Sequence, residues 1–375
     1  MRITIVQGAF LPVPPLMGGA VEKVWFALGK EFAQRGHQVT HISRCYENLP
    51  QDEIIDGVRY LRVAGFDTPK SITTLKFFDF IYSLRVLKIL PKADILVTNT
   101  FWLPILSRNL AHGLVYVHVA RYPKGQMKLY KHVARLQTVS SPIAEAIKQE
   151  APQSISKVRV IPYPRQENIG IHQQQPLNKQ EKNILYVGRI HPEKGIEILI
   201  HAFQKLVSFG CHDWKLVVVG PWETKLGGGG NTYYQHLRNQ AQALGDKIEW
   251  VGSVFDPLKL QSYYRQAKLF VYPSLAERGE TFGLAALEAM SHECATLVSN
   301  LKCFQDYITD GKTGFIFDHQ SKDPVATLAE KIKMLISSQS QLEKIGHNGY
   351  KKSLEYTLPR IADLYLSDFT SLIQV

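Results

Sequence analysis

Residues 184–200 read ILYVGRIHPEKGIEILI, and this stretch decides the fold class. An apolar run ends abruptly at Gly188, the mark of a short buried strand. A polar loop follows, and apolar periodicity predicts a helix over 195–209. Strand, short loop and helix in succession make a βα unit. The alternation continues with strands at KLVVVG (215–220), IEWVG (248–252), KLFVYPS (268–274) and TLVSN (296–300). Helices are predicted near 231–244, 256–266 and 283–292. Upstream, strands read at 2–6, 39–43, 58–63, 94–99, 114–119, 135–140 and 158–164. Val21, Val24, Trp25, Leu28 and Phe32 fall at helical spacing within 19–36, and Gly36 ends that helix. Residues 165–182 are polar, Gln-rich and aperiodic, which reads as a linker. The expectation is an α/β protein of two doubly wound halves with parallel sheets, joined by this linker. A ligand is expected in an interdomain cleft, at the carboxyl ends of the strands.

Composition agrees with two folded domains. The chain has 375 residues, 45% hydrophobic and 21% charged, which excludes a disordered, collagenous or coiled-coil protein. Four cysteines without C-x-x-C spacing form no disulfide framework and point to unpaired thiols in a reducing compartment. No apolar run reaches the roughly 18–20 residues of a membrane-spanning helix. MRITIVQGAF reads as a first strand rather than a signal peptide, so a cytoplasmic location is expected. Lys and Arg number 44 against 33 Asp and Glu, a net +11 that calls for an anionic partner.

Four segments carry chemistry. Glu280-Thr-Phe-Gly-Leu-Ala-Ala-Leu-Glu288 follows the strand FVYPS and opens a helix at about Phe282. The amides of Phe282, Gly283 and Leu284 then suit a phosphate, and Gly283 permits close approach. The two carboxylates can grip hydroxyls on two parts of one ligand. In GRIHPEKG, Gly188 ends the strand while Arg189 and Lys194 offer cations to a diphosphate. Pro14-Pro15-Leu-Met-Gly18-Gly19-Ala20 precedes the first helix, but is not G-x-G-x-x-G, so a dinucleotide fingerprint is absent. His118 ends strand LVYVHV and suits a sugar hydroxyl or leaving phosphate. Taken singly, each also reads as a helix cap, a solvated loop, a turn or a packed histidine. The run Gly227–Gly230 matches no phosphate motif and reads as a mobile loop.

In order, GRIHPEKG, KLVVVG, FVYPS, ETFGLAALEAM and DGKTGFIF resemble the retaining glycosyltransferases of family 4. The resemblance implies an α/β fold of two facing Rossmann-like domains with parallel sheets and an interdomain cleft, the glycosyltransferase B-type fold. The resemblance is strong over 184–318 and looser over 1–163. It implies a metal-independent enzyme moving a hexosyl group from a nucleoside diphosphate sugar to a glycan acceptor. By residue match, Glu280 contacts the donor sugar, Phe282–Leu284 its phosphate and sugar, and Glu288 the ribose. Arg189 and Lys194 clamp the diphosphate, and Gly18 and Gly19 close over donor and acceptor. His118 touches the transferred sugar, and Val254 lies where the backbone meets the base. Residues 164–356 then bind the nucleotide sugar and 1–163 the acceptor, with a last helix, 357–375, crossing back to the first domain.

Three departures from the family pattern stand out. Thr281 replaces a glycine, Ser291-His-Glu293-Cys-Ala295-Thr replaces A-x-G-x-P-V, and Lys302-Cys303 replaces a glycine pair. Glu277 also stands in the loop, so Glu280 is chosen by its offset to Glu288. No D-x-D motif supplies a metal clamp, and no cofactor is implied. A UDP-hexose such as UDP-glucose is the favoured donor, with GDP-mannose as the alternative. A lipid-linked oligosaccharide is the expected acceptor. A nicotinamide enzyme lacks its glycine fingerprint, and a phosphorylase needs a pyridoxal-phosphate lysine. A non-enzymatic basic protein binding membrane or nucleic acid lacks recognisable modules, and no nucleic-acid partner is expected.

The charge is lopsided. Residues 1–163 hold 21 Lys and Arg against 11 Asp and Glu, and residues 164–375 hold 23 against 22. Arg121, Lys124, Lys128, Lys131 and Arg135 recur at three-to-four-residue spacing, as do Arg85, Lys88 and Lys92. A solvated helix face accounts for this, as does a patch that meets an anionic membrane surface from the cytoplasmic side.

Overall fold

The computed structural model describes residues 1–166 and 181–374, so most of the 165–182 segment read as a linker lies outside the described residues. The chain forms two compact units: Met1–Pro164 with Leu358–Val375, and Arg165–Thr357.

The first unit runs β1 (Arg2–Val6), α1 (Ala20–Gln34), β2 (Gln38–Arg44), β3 (Asp52–Ile55), β4 (Val58–Val63), α2 (Ile72–Leu87), β5 (Ile95–Thr98), α3 (Leu103–Leu106), β6 (Leu114–Val119), β7 (Arg135–Thr138), α4 (Ser141–Glu150) and β8 (Val158–Val160). Its sheet has the order β3-β4-β2-β1-β5-β6-β7-β8. All pairs are parallel except the β3–β4 hairpin. The central strands are apolar on both faces because helices cover both; all four residues of β5 are buried. The strand order reverses between β1 and β5.

The second unit runs β9 (Glu181–Val187), α5 (Ile196–Ser208), β10 (Lys215–Val219), α6 (Asn231–Gln240), β11 (Ile248–Gly252), α7 (Pro257–Gln266), β12 (Ala267–Tyr272), α8 (Leu284–Ser291), β13 (Ala295–Ser299), α9 (Lys302–Gln305), β14 (Phe315–Phe317), α10 (Pro324–Ile336) and α11 (Gln339–Ser353). Its parallel sheet has the order β11-β10-β9-β12-β13-β14, so the order reverses between β9 and β12. The loops after those strands touch. Gly195 has φ 67°, and a Cβ there would collide with the Pro273 carbonyl. Leu275 N–H donates to Glu193 O at 2.8 Å.

Helix α12 (Leu358–Ile373) packs within the first unit. Its Tyr365 ring lies 5.1 Å from Trp25 of α1, and its Phe369 ring lies 4.9 Å from Tyr116 of β6. Arg35 pairs with Asp363 at the surface. Asp368, 5% exposed, accepts from Tyr116 Oη at 2.9 Å and from Arg135 Nε and Nη2 at 3.0 and 2.7 Å.

Several expectations are corrected. Helix α8 starts at Leu284, not Phe282, because Gly283 is held in the left-handed region. The cations from Arg121 to Arg135 share no helix face: only Gln126–Leu129 coils, as one 3₁₀ turn after Gly125. Arg135 is not a membrane-facing cation, since its guanidinium is committed to Asp368 and its side chain is 15% exposed. The run Gly227–Gly230 is tied down, with Gly229 N–H on Ile190 O and Gly230 N–H on Trp222 O. The four cysteines are free thiols, and no helix among the described residues is long and apolar enough to cross a membrane.

Removing a buried carboxylate strands its cation without a counter-charge. Asp368→Ala is expected to destabilise the first unit by about 3–5 kcal/mol. Asp368→Asn, which retains hydrogen bonding, should cost less. Urea unfolding followed by near-UV circular dichroism checks both.

Candidate active site

The crevice beside a strand-order reversal is where an open α/β sheet presents loop ends to a ligand. In the second unit that place holds Lys194, from the loop after β9, and Glu280, from the loop after β12. Lys194 Nζ lies 2.7 Å from Glu280 Oε2, with both side chains buried. Tyr272, at the end of β12, donates its hydroxyl to the same oxygen at 3.0 Å. The ammonium also stands 5.7 Å from the Tyr272 ring centre. The Tyr272 ring stacks on Tyr186 of β9 at 5.9 Å, and the Tyr186 hydroxyl donates to Arg189 O at 2.8 Å. Sequence reasoning treated Lys194 and Glu280 as separate contacts; the structure joins them. Glu277, the competing acid, instead accepts from His319 at 2.9 Å and Gln320 at 2.6 Å.

Phe282 is buried, and Tyr307 Oη donates to the carbonyls of Phe282 at 3.1 Å and Gly283 at 3.0 Å. This turns the peptide chain so that Leu284 opens α8. The first amides of a helix lie outside its own ladder and suit an anion. Gly283 has φ 79°, and a Cβ there would run into the Phe304 ring. Glu288, one turn into α8, is buried and accepts from Tyr264 Oη at 3.0 Å.

Arg189 lies in the loop after β9, with Nη2 2.8 Å from Glu193 and Nη1 2.7 Å from Gly227 O. It is half-exposed, steered by the glycine run. Gly188 sits against the Tyr186 and Tyr272 side chains. Val254 is half-buried two residues beyond β11.

In the first unit, Gly18 and Gly19 have φ 80° and 93°, and Gly19 caps α1. A Cβ on Gly19 would strike the carboxylate of Glu22, a buried acid that sequence reasoning missed. Its place three residues past the cap resembles a capping-box acid, which was the available signal. Burial pushes the Glu22 carboxyl up, opposed by its own amide and by Arg121. His118 is 3% exposed, with Nδ1 2.6 Å from Gln137 Oε1 and Nε2 3.2 Å from Tyr163 Oη. The Gln137 amide nitrogen donates to Thr138 O and Ile161 O, so its oxygen faces His118. Nδ1 therefore carries the proton, and Nε2 accepts from Tyr163.

Burial lowers the His118 pKa from 6.5 to about 4, and that of His41 to about 3. Between those values and 6.5 the unfolded chain binds protons that the folded chain refuses. Their contribution to stability is whole above pH 6.5 and is lost as pH falls, by about 3 kcal/mol for His118 across its window. The two histidines should therefore weaken the first unit between pH 6.5 and 4. Asp79 partly offsets this, because burial raises its carboxyl pKa to about 6 and it takes up a proton more readily when folded. His118→Asn should flatten part of the histidine slope. Urea titrations across this range check it, and an unchanged slope contradicts it.

Residues 168–352 match the family described as glycosyl transferases group 1. The capsular polysaccharide biosynthesis glycosyltransferase CapM of Staphylococcus aureus is 35% identical over 167 residues, 44% of this chain and 40% of that protein. The chain thus aligns with less than half the length of that relative. Spore coat protein SA of Bacillus subtilis (strain 168) is 25% identical over 98% of both chains. Among solved structures, Anabaena Alr3699/HepE in complex with UDP shares the fold, at a TM-score of 0.71 and 16% identity over 99% of this chain and 100% of that one. Residues 168–352 are thus similar to the group 1 glycosyl transferases, and the chain has the glycosyltransferase B-type fold.

Proposed function

We propose that this protein is a retaining glycosyltransferase that moves a hexosyl group from a UDP-hexose, UDP-glucose in the first instance, to a hydroxyl of a growing glycan. The observation that carries the reading is the buried Lys194–Glu280 pair, seated on Tyr272 at the strand-order reversal. Two relatives support its details: CapM is named for capsular polysaccharide biosynthesis, and HepE was solved with UDP. The second unit takes the nucleotide sugar and the first takes the acceptor.

Each role follows from the local chemistry. Lys194 and Tyr272 both occupy Glu280 Oε2, which leaves Oε1 to accept from a sugar hydroxyl. The α8 start and Arg189 face the diphosphate, whose charge grows as the glycosidic bond breaks. Fixed positive groups there lower the barrier without reorganising. The Tyr264-held Glu288 carboxylate accepts from ribose hydroxyls. Gly188 keeps the strand end low beneath the diphosphate, and Val254 borders the base. Gly18 and Gly19 bring backbone to the acceptor. The neutral His118 imidazole, with both ring nitrogens taken by Gln137 and Tyr163, serves the acceptor unit by fixing Tyr163 rather than by touching the sugar. The acceptor oxygen bonds the anomeric carbon as the bond to the diphosphate oxygen breaks. The leaving phosphate receives the acceptor proton, so attack occurs on the same face. No divalent metal is required.

Glu280→Gln keeps size and hydrogen bonding while removing the charge that holds Lys194. Its transfer rate should fall by about 100-fold or more, the scale of losing a preorganised electrostatic contact, with UDP affinity within about threefold of wild type. A panel of UDP- and GDP-sugars, scored by donor hydrolysis and by titration calorimetry with UDP, tests both statements. Full activity in the variant, or exclusive use of GDP-mannose, overturns the corresponding part.

A further inference from the structure

Helix α2 is apolar on both sides. Its inner side buries Asp79, Tyr82, Ser83 and Val86. On the opposite side, Phe77, Phe80, Ile81 and Leu84 follow one another at spacings of three, one and three residues, and Lys88 continues the row. Phe77 is 59% exposed and Leu84 41%. Large apolar side chains aligned on an outward face mark an interaction surface.

The surroundings define what fits. Residues 68–135 contain eleven Lys and Arg and two Asp and Glu. Neither acid offers free negative charge: Asp79 is buried under the Phe101 and Trp102 amides at 3.0 Å, and Asp94 pairs with Arg2 at 2.6 Å. Of the acids outside this segment, Glu150 is committed to the amides of Gly125 and Met127 at 2.7 Å, and the exposed Asp67, just before α2, pairs with Arg44 at 3.0 Å. The stripe also continues into the basic segment singled out in the sequence. Lys76 stands 4.7 Å over the Phe101 ring, and Tyr130 Oη donates to Phe101 O at 3.0 Å. Beside Tyr130, Leu129 is 51% exposed, and Lys124, Lys128 and Lys131 are exposed.

We propose that the outer face of α2, together with Lys76, Lys124, Lys128, Leu129 and Lys131, docks the protein onto an anionic lipid bilayer. Apolar side chains of such a helix seat at the boundary of headgroups and acyl chains, while flanking cations meet acidic headgroups. A second copy of the chain fits less well, since it brings the same positive field to the contact. A free polyanion leaves Phe77 and Leu84 in water. The proposal is independent of the donor reading, because none of these side chains belongs to the donor-binding set.

Co-sedimentation with vesicles of phosphatidylcholine containing phosphatidylglycerol, and with phosphatidylcholine alone, tests it. The full-length protein should pellet with the anionic vesicles only, and less in high salt. Phe77→Ser with Leu84→Ser should weaken partitioning by about tenfold per residue. Reversing Lys124, Lys128 and Lys131 to Glu should weaken it by at least about 100-fold, near fivefold for each cation lost. Donor hydrolysis in solution should stay unchanged in the Phe77 and Leu84 variant, which shows that it folds. The proposal is overturned if wild type fails to pellet, if only the charge variant loses binding, or if the serine variant instead dissolves a dimer seen by light scattering.

Discussion

A lysine and a glutamate that share little water hold the second unit's crevice together. Burying two charges costs several kcal/mol each before their attraction returns anything. Such a pair persists only where the surrounding structure fixes its geometry and adds hydrogen bonds. The strand order provides this. Because β9 and β12 are neighbours at the reversal, the loops after them cannot avoid each other, and Gly195 lets them approach to contact. Tyr272 then completes the Glu280 oxygen from below, and its ring faces the Lys194 ammonium. The parallel sheet, the tight glycine and the paired charges form one arrangement, and loosening any of them releases the others.

The first unit uses the same device for a different end. Asp368, Arg135 and Tyr116 form a buried cluster that joins the last helix to two strands distant in sequence. Trp25, Tyr365 and Phe369 surround it with edge-on aromatic contacts. In one unit a buried pair shapes a ligand-facing crevice; in the other it anchors a returning helix. The difference lies in position: carboxyl ends of strands in the first case, a strand's first residue in the second.

Much of the fold was legible because parallel strands buried on both faces leave continuous apolar runs. RITIV, LVYVHV and KLVVV stand out from sequence for that reason. The β3–β4 hairpin was not read, although Asp56 and Gly57, with φ 51° and 79°, are a Asp-Gly turn of the type that joins hairpins. Its strand DEII is short and half-polar, with little periodicity to see. Helix α2 escaped for the opposite reason, since apolar residues on both sides erase the one-sided pattern that marks a surface helix. At the site, spacing singled out Glu280, Glu288, Arg189 and Lys194, but not their pairings. That Lys194 reaches Glu280, and Arg135 reaches Asp368, depends on strand order, which no local window contains.

The departures from the family pattern gain a physical reading from the same geometry. His292, in the segment Ser291-His-Glu293-Cys, stacks on Tyr264 at 5.6 Å, with the planes 14° apart. Its Nδ1 lies 2.8 Å from Glu288 O, and burial holds its pKa down at about 4, so the ring stays neutral and donates from that nitrogen. Tyr264 in turn donates to the Glu288 carboxylate. The histidine thus braces the phenol that orients the acid, from the residue after the end of α8. Cys303, in place of a glycine, is buried close enough to Glu280 for that charge to raise its thiol pKa further above what burial imposes. A buried neutral thiol with a real side chain fills space that a glycine leaves open. Side chains that vary around a fixed acid are a means by which one fold accommodates different sugars without disturbing the charge pair at its centre.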